Sequence, residues 1–173
     1  DADRIHNMRR YLLYEQFTEN RGISPDQLVY GAWGFGEKLT HGSFGHVDLS
    51  HTRRVLQALQ ESKTDSITYA QKARFFLRMV QKRPEETRPQ PPLEEPHTVP
   101  YDGGFYSSPV VWGSNKAGIN DDSVRYFPSY ATATADGLLA LLSAGVPPND
   151  QRVLDALLWL KKHDDLSQPG GIP

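Results

Sequence analysis

The sequence contains no cysteine. Disulfides, thiolate metal sites and a cysteine nucleophile are therefore excluded, while the compartment stays open, because cytosolic and exported proteins can both lack this residue. It also lacks any apolar run near the roughly 20 residues a membrane-crossing helix needs. A soluble protein with no transmembrane segment is expected. Neither sign of charge dominates: the formal net charge is -2, and Lys and Arg are scattered among Asp and Glu. That leaves no concentrated basic face for nucleic acid and no polybasic attraction to an anionic membrane. A phosphate-binding loop, a nucleophile elbow and a Ser/His/Asp arrangement are all missing, so no cofactor is expected. The opening Asp1-Ala2-Asp3-Arg4 has no signal-peptide character and no initiator Met. The expectation is a trimmed or processed piece of something longer.

What is present suits one folded domain over 1–173, with 38% hydrophobic and 10% aromatic residues, enough to bury a real core. Apolar residues recur at helical spacing. They do so at Val55, Leu56 and Leu59, at Ala73, Phe76, Leu77 and Val80, at Ala135, Leu138, Leu139 and Leu142, and at Val153, Ala156, Leu157 and Leu160. Met8, Tyr11 and Leu12 fit the template less completely. Five helices and an all-α class follow. Asp48 or Ser50 can cap the second helix and Asn149 or Asp150 the fifth, by accepting a free backbone N–H. Gly145 followed by Pro147-Pro148 ends the fourth helix. With the polar turn at 61–66, helices two and three form one αα-hairpin and helices four and five another.

The helices also repeat one another. Tyr11-Leu12, three residues and Gln16 recur as Phe76-Leu77, three residues and Gln81; Trp159-Leu160 opens a third copy with Asp164 in the glutamine place. After a spacer each copy meets a glycine turn: Gly31-Ala32-Trp33, then Gly103-Gly104-Phe105, then Gly170-Gly171-Ile172. Unequal spacing between copies sits in loops, as in other helical arrays. The longest loop, 82–101, carries Pro84, Pro89, Pro91, Pro92, Pro96 and Pro100. Proline fixes φ and donates no hydrogen bond, so the stretch reads as an extended connector between copies, or as a polyproline segment for a protein partner.

An aromatic-Leu-x3-Gln segment followed by a Gly-x-Trp turn resembles the QW motif of squalene and terpene cyclases and protein prenyltransferases. Tyr11, Leu12 and Gln16 with Gly31 and Trp33 match it, with a longer spacer; Phe76, Leu77 and Gln81 with Gly103, Gly104 and Phe105 match with Phe for Trp. Trp159 and Leu160 belong to the third copy. The strings around Gly103 and Asp136 look like uncharacterised bacterial proteins of that kind. The resemblance implies an α/α toroid, in which αα-hairpins close into a barrel of inner and outer helices; this chain would supply about two and a half hairpins. It also implies that these positions hold the fold, the glutamine tying a helix end to the next turn while the aromatic stacks beneath it.

The family's two active sites are not matched. The cyclase acid run, Asp-x-Asp-Asp-Thr-Ala, has its nearest counterpart in Ile119-Asn120-Asp121-Asp122-Ser123-Val124, which lacks the first acid and sits in a polar loop. Protonating an alkene needs a buried acid, whereas Asp121 and Asp122 read as loop caps or turn formers. The prenyltransferase zinc site needs a cysteine. His41, His46, Asp48 and His51 lie close together, but their spacing is not a recognised ligand pattern, so no metal is expected. Tyr101, Phe105, Tyr106, Trp112, Tyr126, Phe127 and Tyr130 crowd the insert at 106–128. They are either core that holds the insert down or, with Arg125, the lining of a pocket in which Tyr106, Trp112, Tyr126 and Tyr130 grip a hydrophobic small molecule, a cation or a glycan.

The functional expectation is a non-catalytic repeat domain that binds or scaffolds. The alternative is part of a cyclase-like enzyme acting on isoprenoids with its catalytic acid outside this segment. An open array leaves two hairpin edges, so a protein partner, self-association or covalent continuation of the array is expected at them.

Overall fold

The computed structural model describes residues 2–35, 45–64, 67–88, 100–120 and 125–164. The fold is all-α: α1 (Ala2–Glu15), α2 (Leu49–Glu61), α3 (Thr68–Val80), α4 (Ala131–Ser143) and α5 (Gln151–Lys162) carry it. The strands β1 (Gly34–Phe35) and β2 (His46–Val47) form a short antiparallel pair, Gly34 opposite Val47. Asp48, not Ser50, caps α2: its carboxylate accepts from the His51 amide at 2.7 Å. Asp150 caps α5 by accepting from the Arg152 amide at 2.9 Å. Gly145 follows α4 at φ 72°, a left-handed conformation that ends a helix with little strain in glycine.

α2 lies along α4, and α5 packs back on α4. α3 touches both even-numbered helices, whereas α1 touches α2. The apolar faces join in a core that includes Trp33, Leu56, Leu59, Phe76, Leu77, Phe105, Leu141 and Ala156.

The sequence repeat is a repeat of hydrogen bonds. Gln16 Nε2 donates to the Gly31 carbonyl and to the Tyr69 carbonyl in the first turn of α3, both at 2.9 Å. Gln81 Nε2 donates to the Gly103 carbonyl at 3.1 Å and to the Arg152 carbonyl in the first turn of α5 at 2.9 Å. The next residue of each copy exchanges backbone bonds with the same turn: Phe17 N to Ala32 O and Gly31 N to Phe17 O, then Lys82 N to Gly104 O and Gly103 N to Lys82 O. The turn aromatic then meets the following even-numbered helix. Trp33 N donates to Thr52 Oγ1 at 3.3 Å, and Phe105 N to Thr134 Oγ1 at 3.1 Å. Both turn glycines have positive φ, 86° at Gly31 and 78° at Gly103. A side chain on Gly31 would strike the backbone of Lys72 in α3, and one on Gly103 would strike Asp155 in α5.

One expectation changes here. The glutamines, each the residue just after its helix, reach the glycine turn and also clamp it to the start of the next odd-numbered helix. The motif aromatic is buried in α3 and α5 but not in α1: Phe76 is 0% and Trp159 4% exposed, against 63% for Tyr11. Among the described residues, α1 is not covered from its preceding side as α3 is by α2. Trp33 and Phe105 are buried as expected, and the Trp33 indole donates to the Leu12 carbonyl at 2.7 Å. Gly170, Gly171 and Ile172 lie outside the described residues.

Candidate functional site

The N-terminal ends of α2 and α4 converge on a cavity of about 330 Å3, walled by His46, Asp48, Ser50, Ser114, Lys116, Tyr130, Thr132, Ala133 and Asp136 among others. The repeat accounts for its position: Asp48 and Tyr130 stand at the same place, each just before the first residue of an even-numbered helix. At α2 that residue is an acid and caps the helix. At α4 it is a tyrosine with no side-chain capping bond, and its hydroxyl donates instead to the Ser114 carbonyl at 3.1 Å. The first-turn amides of α4 thus have no side-chain partner at their cap, and an oxygen acceptor suits that wall.

The other charges are largely spoken for. Asp48 Oδ1 accepts from the His51 amide and Oδ2 lies 2.8 Å from His46 Nε2. Asp136 holds Arg53 at 3.0 Å, bridging α4 to α2. Ser114 Oγ lies 3.4 Å from the same His46 Nε2 that faces Asp48. A nucleophilic serine needs the histidine's second nitrogen, with the acid on the first. Here hydroxyl and acid share one nitrogen, so His46 cannot relay a proton between them. Phe35 sits between the rings of His46 and His51, with centroids 4.5 and 5.0 Å away. Burial first, and the neighbouring Arg54 and His46, pull the His51 pKa below its ordinary value against the pull of Asp48. The arrangement is a polar-rimmed cavity whose acids, Asp48 and Asp136, are both engaged as acceptors.

The residues singled out from sequence disperse. His46 and His51 flank Phe35, and among the described residues no group of three His, Asp or Glu side chains is placed to hold a metal. His41, Asp121 and Asp122 lie outside the described residues. Among the described residues, the four aromatics Tyr106, Trp112, Tyr126 and Tyr130 sit in different surroundings. Tyr106 is fully buried, its hydroxyl donating to the Met79 carbonyl at 3.0 Å, and burial pushes its pKa up. Tyr106 stacks on Phe127, and the half-exposed Trp112 meets Phe127 edge-on. Tyr126 faces Lys82, while Tyr130 alone reaches the cavity. The core reading holds for Tyr106 and Tyr130, because each is drawn into the packing between the insert and the helices. Sequence reasoning missed Ser114, Lys116 and Asp136, which come from separate parts of the chain; only the shared place of Asp48 and Tyr130 before their helices was readable.

In the described part of the 82–101 connector, Glu86 and Arg88 form a buried ion pair at 2.7 Å. Arg88 also donates to the carbonyls of Phe75 in α3 and of Gln27, pinning the connector to both copies. No helix among the described residues is long and apolar enough to cross a membrane. No protein-family model, curated protein or solved structure matches the chain.

Proposed function

We propose that this chain is a non-catalytic helical-repeat domain, similar to the arrays of squalene cyclases and prenyltransferases, that binds or scaffolds through the open edges of its array. One observation carries the reading. Ile5, Met8, Tyr11 and Tyr14 of α1 are each at least half exposed, yet their counterparts in α3, placed by the Gln16–Gln81 equivalence, are Ala70, Ala73, Phe76 and Met79, all buried. A face that the repeat uses as core inside the array lies bare at its beginning. The other edge is similar: Leu139 of α4 and Leu154, Leu157 and Leu158 of α5 are exposed. Leu157 stands where α3 has Arg74, whose guanidinium reaches across to the Ala144 and Gly145 carbonyls after α4. Contiguous apolar faces of this kind mark interaction surfaces, and terminal repeats of self-sufficient arrays are polar instead.

Sedimentation velocity over a concentration series tests this. The chain should self-associate, and Met8→Glu with Leu157→Glu should return it to monomer with unchanged helical circular dichroism. A wild-type chain that stays monomeric at every concentration would sink the reading.

A further inference from the structure

The two copies differ at one core position in a way the fold does not require. After the motif glutamine the first copy has Phe17, a buried ring; the second has Lys82, 1% exposed, held by the same pair of backbone bonds to its glycine turn. The place accepts an apolar ring, yet it holds an ammonium group. Among the described residues that ammonium donates to no acceptor. It lies 4.2 Å from the centroid of the Tyr126 ring, and it feels the charge of Asp102. Asp102 offers little more: Oδ1 accepts from the Gly104 amide and Ser129 Oγ, and Oδ2 accepts from the Trp159 indole. Drawing an amine out of water is expensive, and departures from a repeated local rule concentrate at functional positions.

Beside it lies a second cavity, of about 320 Å3, walled by Lys82, Arg83, Pro84, Tyr101, Asp102, Gly103, Asp155 and Leu158. Its other charges cancel, since Arg83 is bound by Asp155 and Glu85, and Asp102 balances Lys82.

We infer that Lys82 is a carbonyl-capturing lysine, and that the cavity it walls takes a small aldehyde or ketone held as an imine. The lone pair of the neutral amine attacks the carbonyl carbon and gives a carbinolamine. The carbonyl oxygen then leaves as water with the two amine protons, and a C=N bond remains. Desolvation enlarges the neutral fraction of the amine, pulling the Lys82 pKa down to about 8 against the opposing pull of Asp102. Asp102 remains as a fixed carboxylate beside the site, and the Tyr126 face covers the nitrogen.

The test is reductive trapping with propanal and cyanoborohydride near neutral pH, read by peptide mass mapping. Lys82 should be alkylated on the order of tenfold or more faster than the exposed Lys63, Lys116 and Lys161, because far more of it is neutral. The Lys82→Met protein should lose that fast product while its other lysines react as before. Labelling of Lys82 no faster than the exposed lysines would overturn the inference, whether the amine proves closed off or ordinary in reactivity. Fast labelling that survives at another site in Lys82→Met would overturn it as well.

Discussion

The backbone of Gly137 in α4 runs so close to the Phe105 ring that a Cβ there would lie 2.4 Å from the ring's Cγ. The glycine weakens a helix interior by roughly 1 kcal/mol relative to alanine, and what it gains is a seat for the turn aromatic. Gly137→Ala should therefore destabilise the protein by about 1–3 kcal/mol, through overpacking rather than helix propensity. Urea denaturation of Gly137→Ala, Phe105→Ala and the double variant gives the coupling. Additive effects would show that ring and glycine do not constrain each other.

Trp33 occupies the same place in the first copy and is 1% exposed. Trp33→Ala should cost about 3–5 kcal/mol, the range for a fully buried large aromatic. A loss below about 1 kcal/mol in chemical denaturation would show that the first turn is not part of the core.

Each motif glutamine satisfies two carbonyls from two different elements. Gln16→Ala or Gln81→Ala leaves both without that donor and should destabilise by about 1–3 kcal/mol. Native-state hydrogen exchange should localise the loss. Gln16→Ala loosens the first turn and the start of α3, and Gln81→Ala the second turn and the start of α5. Uniform loosening in both variants would contradict the two-unit organisation.

Lys82 makes stability depend on pH. Its folded pKa of about 8 lies below the unfolded value near 10.4, so between these values the unfolded chain binds more protons and stability rises with pH. The stabilisation is fully present above the unfolded pKa and is lost as pH falls through about 8. Relative to Lys82→Met, the wild type should gain about 1–2 kcal/mol from pH 8 to pH 10. Parallel stability curves for the two proteins over that window would refute the desolvated amine.

No cyclisation of squalene or shorter polyprenyl substrates is expected from this chain. Of the two acids on the cavity wall, Asp48 uses both oxygens as acceptors toward the His51 amide and His46 and Asp136 is paired with Arg53, so neither presents a proton to an alkene. Product above a heat-killed control, abolished by Asp48→Asn or Asp121→Asn, would reverse this.

By itself the sequence determined the helices, two candidates for each N-cap and the pairing of copies, because 3.6-residue periodicity, capping side chains and glycine turns are local chemistry. Asp48, Asp150, Gly145 and the Gln16–Gln81 equivalence were legible for that reason. Which carbonyls the glutamines clamp was not, since Tyr69 and Arg152 belong to elements brought near only by packing. Nor was the fate of the aromatics between residues 101 and 130: composition crowded them together, but burial drew Tyr106 into the core, left Trp112 half exposed and turned Tyr126 toward Lys82. The bare face of α1 is the sharpest case. Ile5, Met8, Tyr11 and Tyr14 share the places of α3's buried Ala70, Ala73, Phe76 and Met79, and only the absence of a preceding even-numbered helix among the described residues leaves them in water. Periodicity marks the face a helix can bury; a neighbour across the tertiary structure decides whether it does.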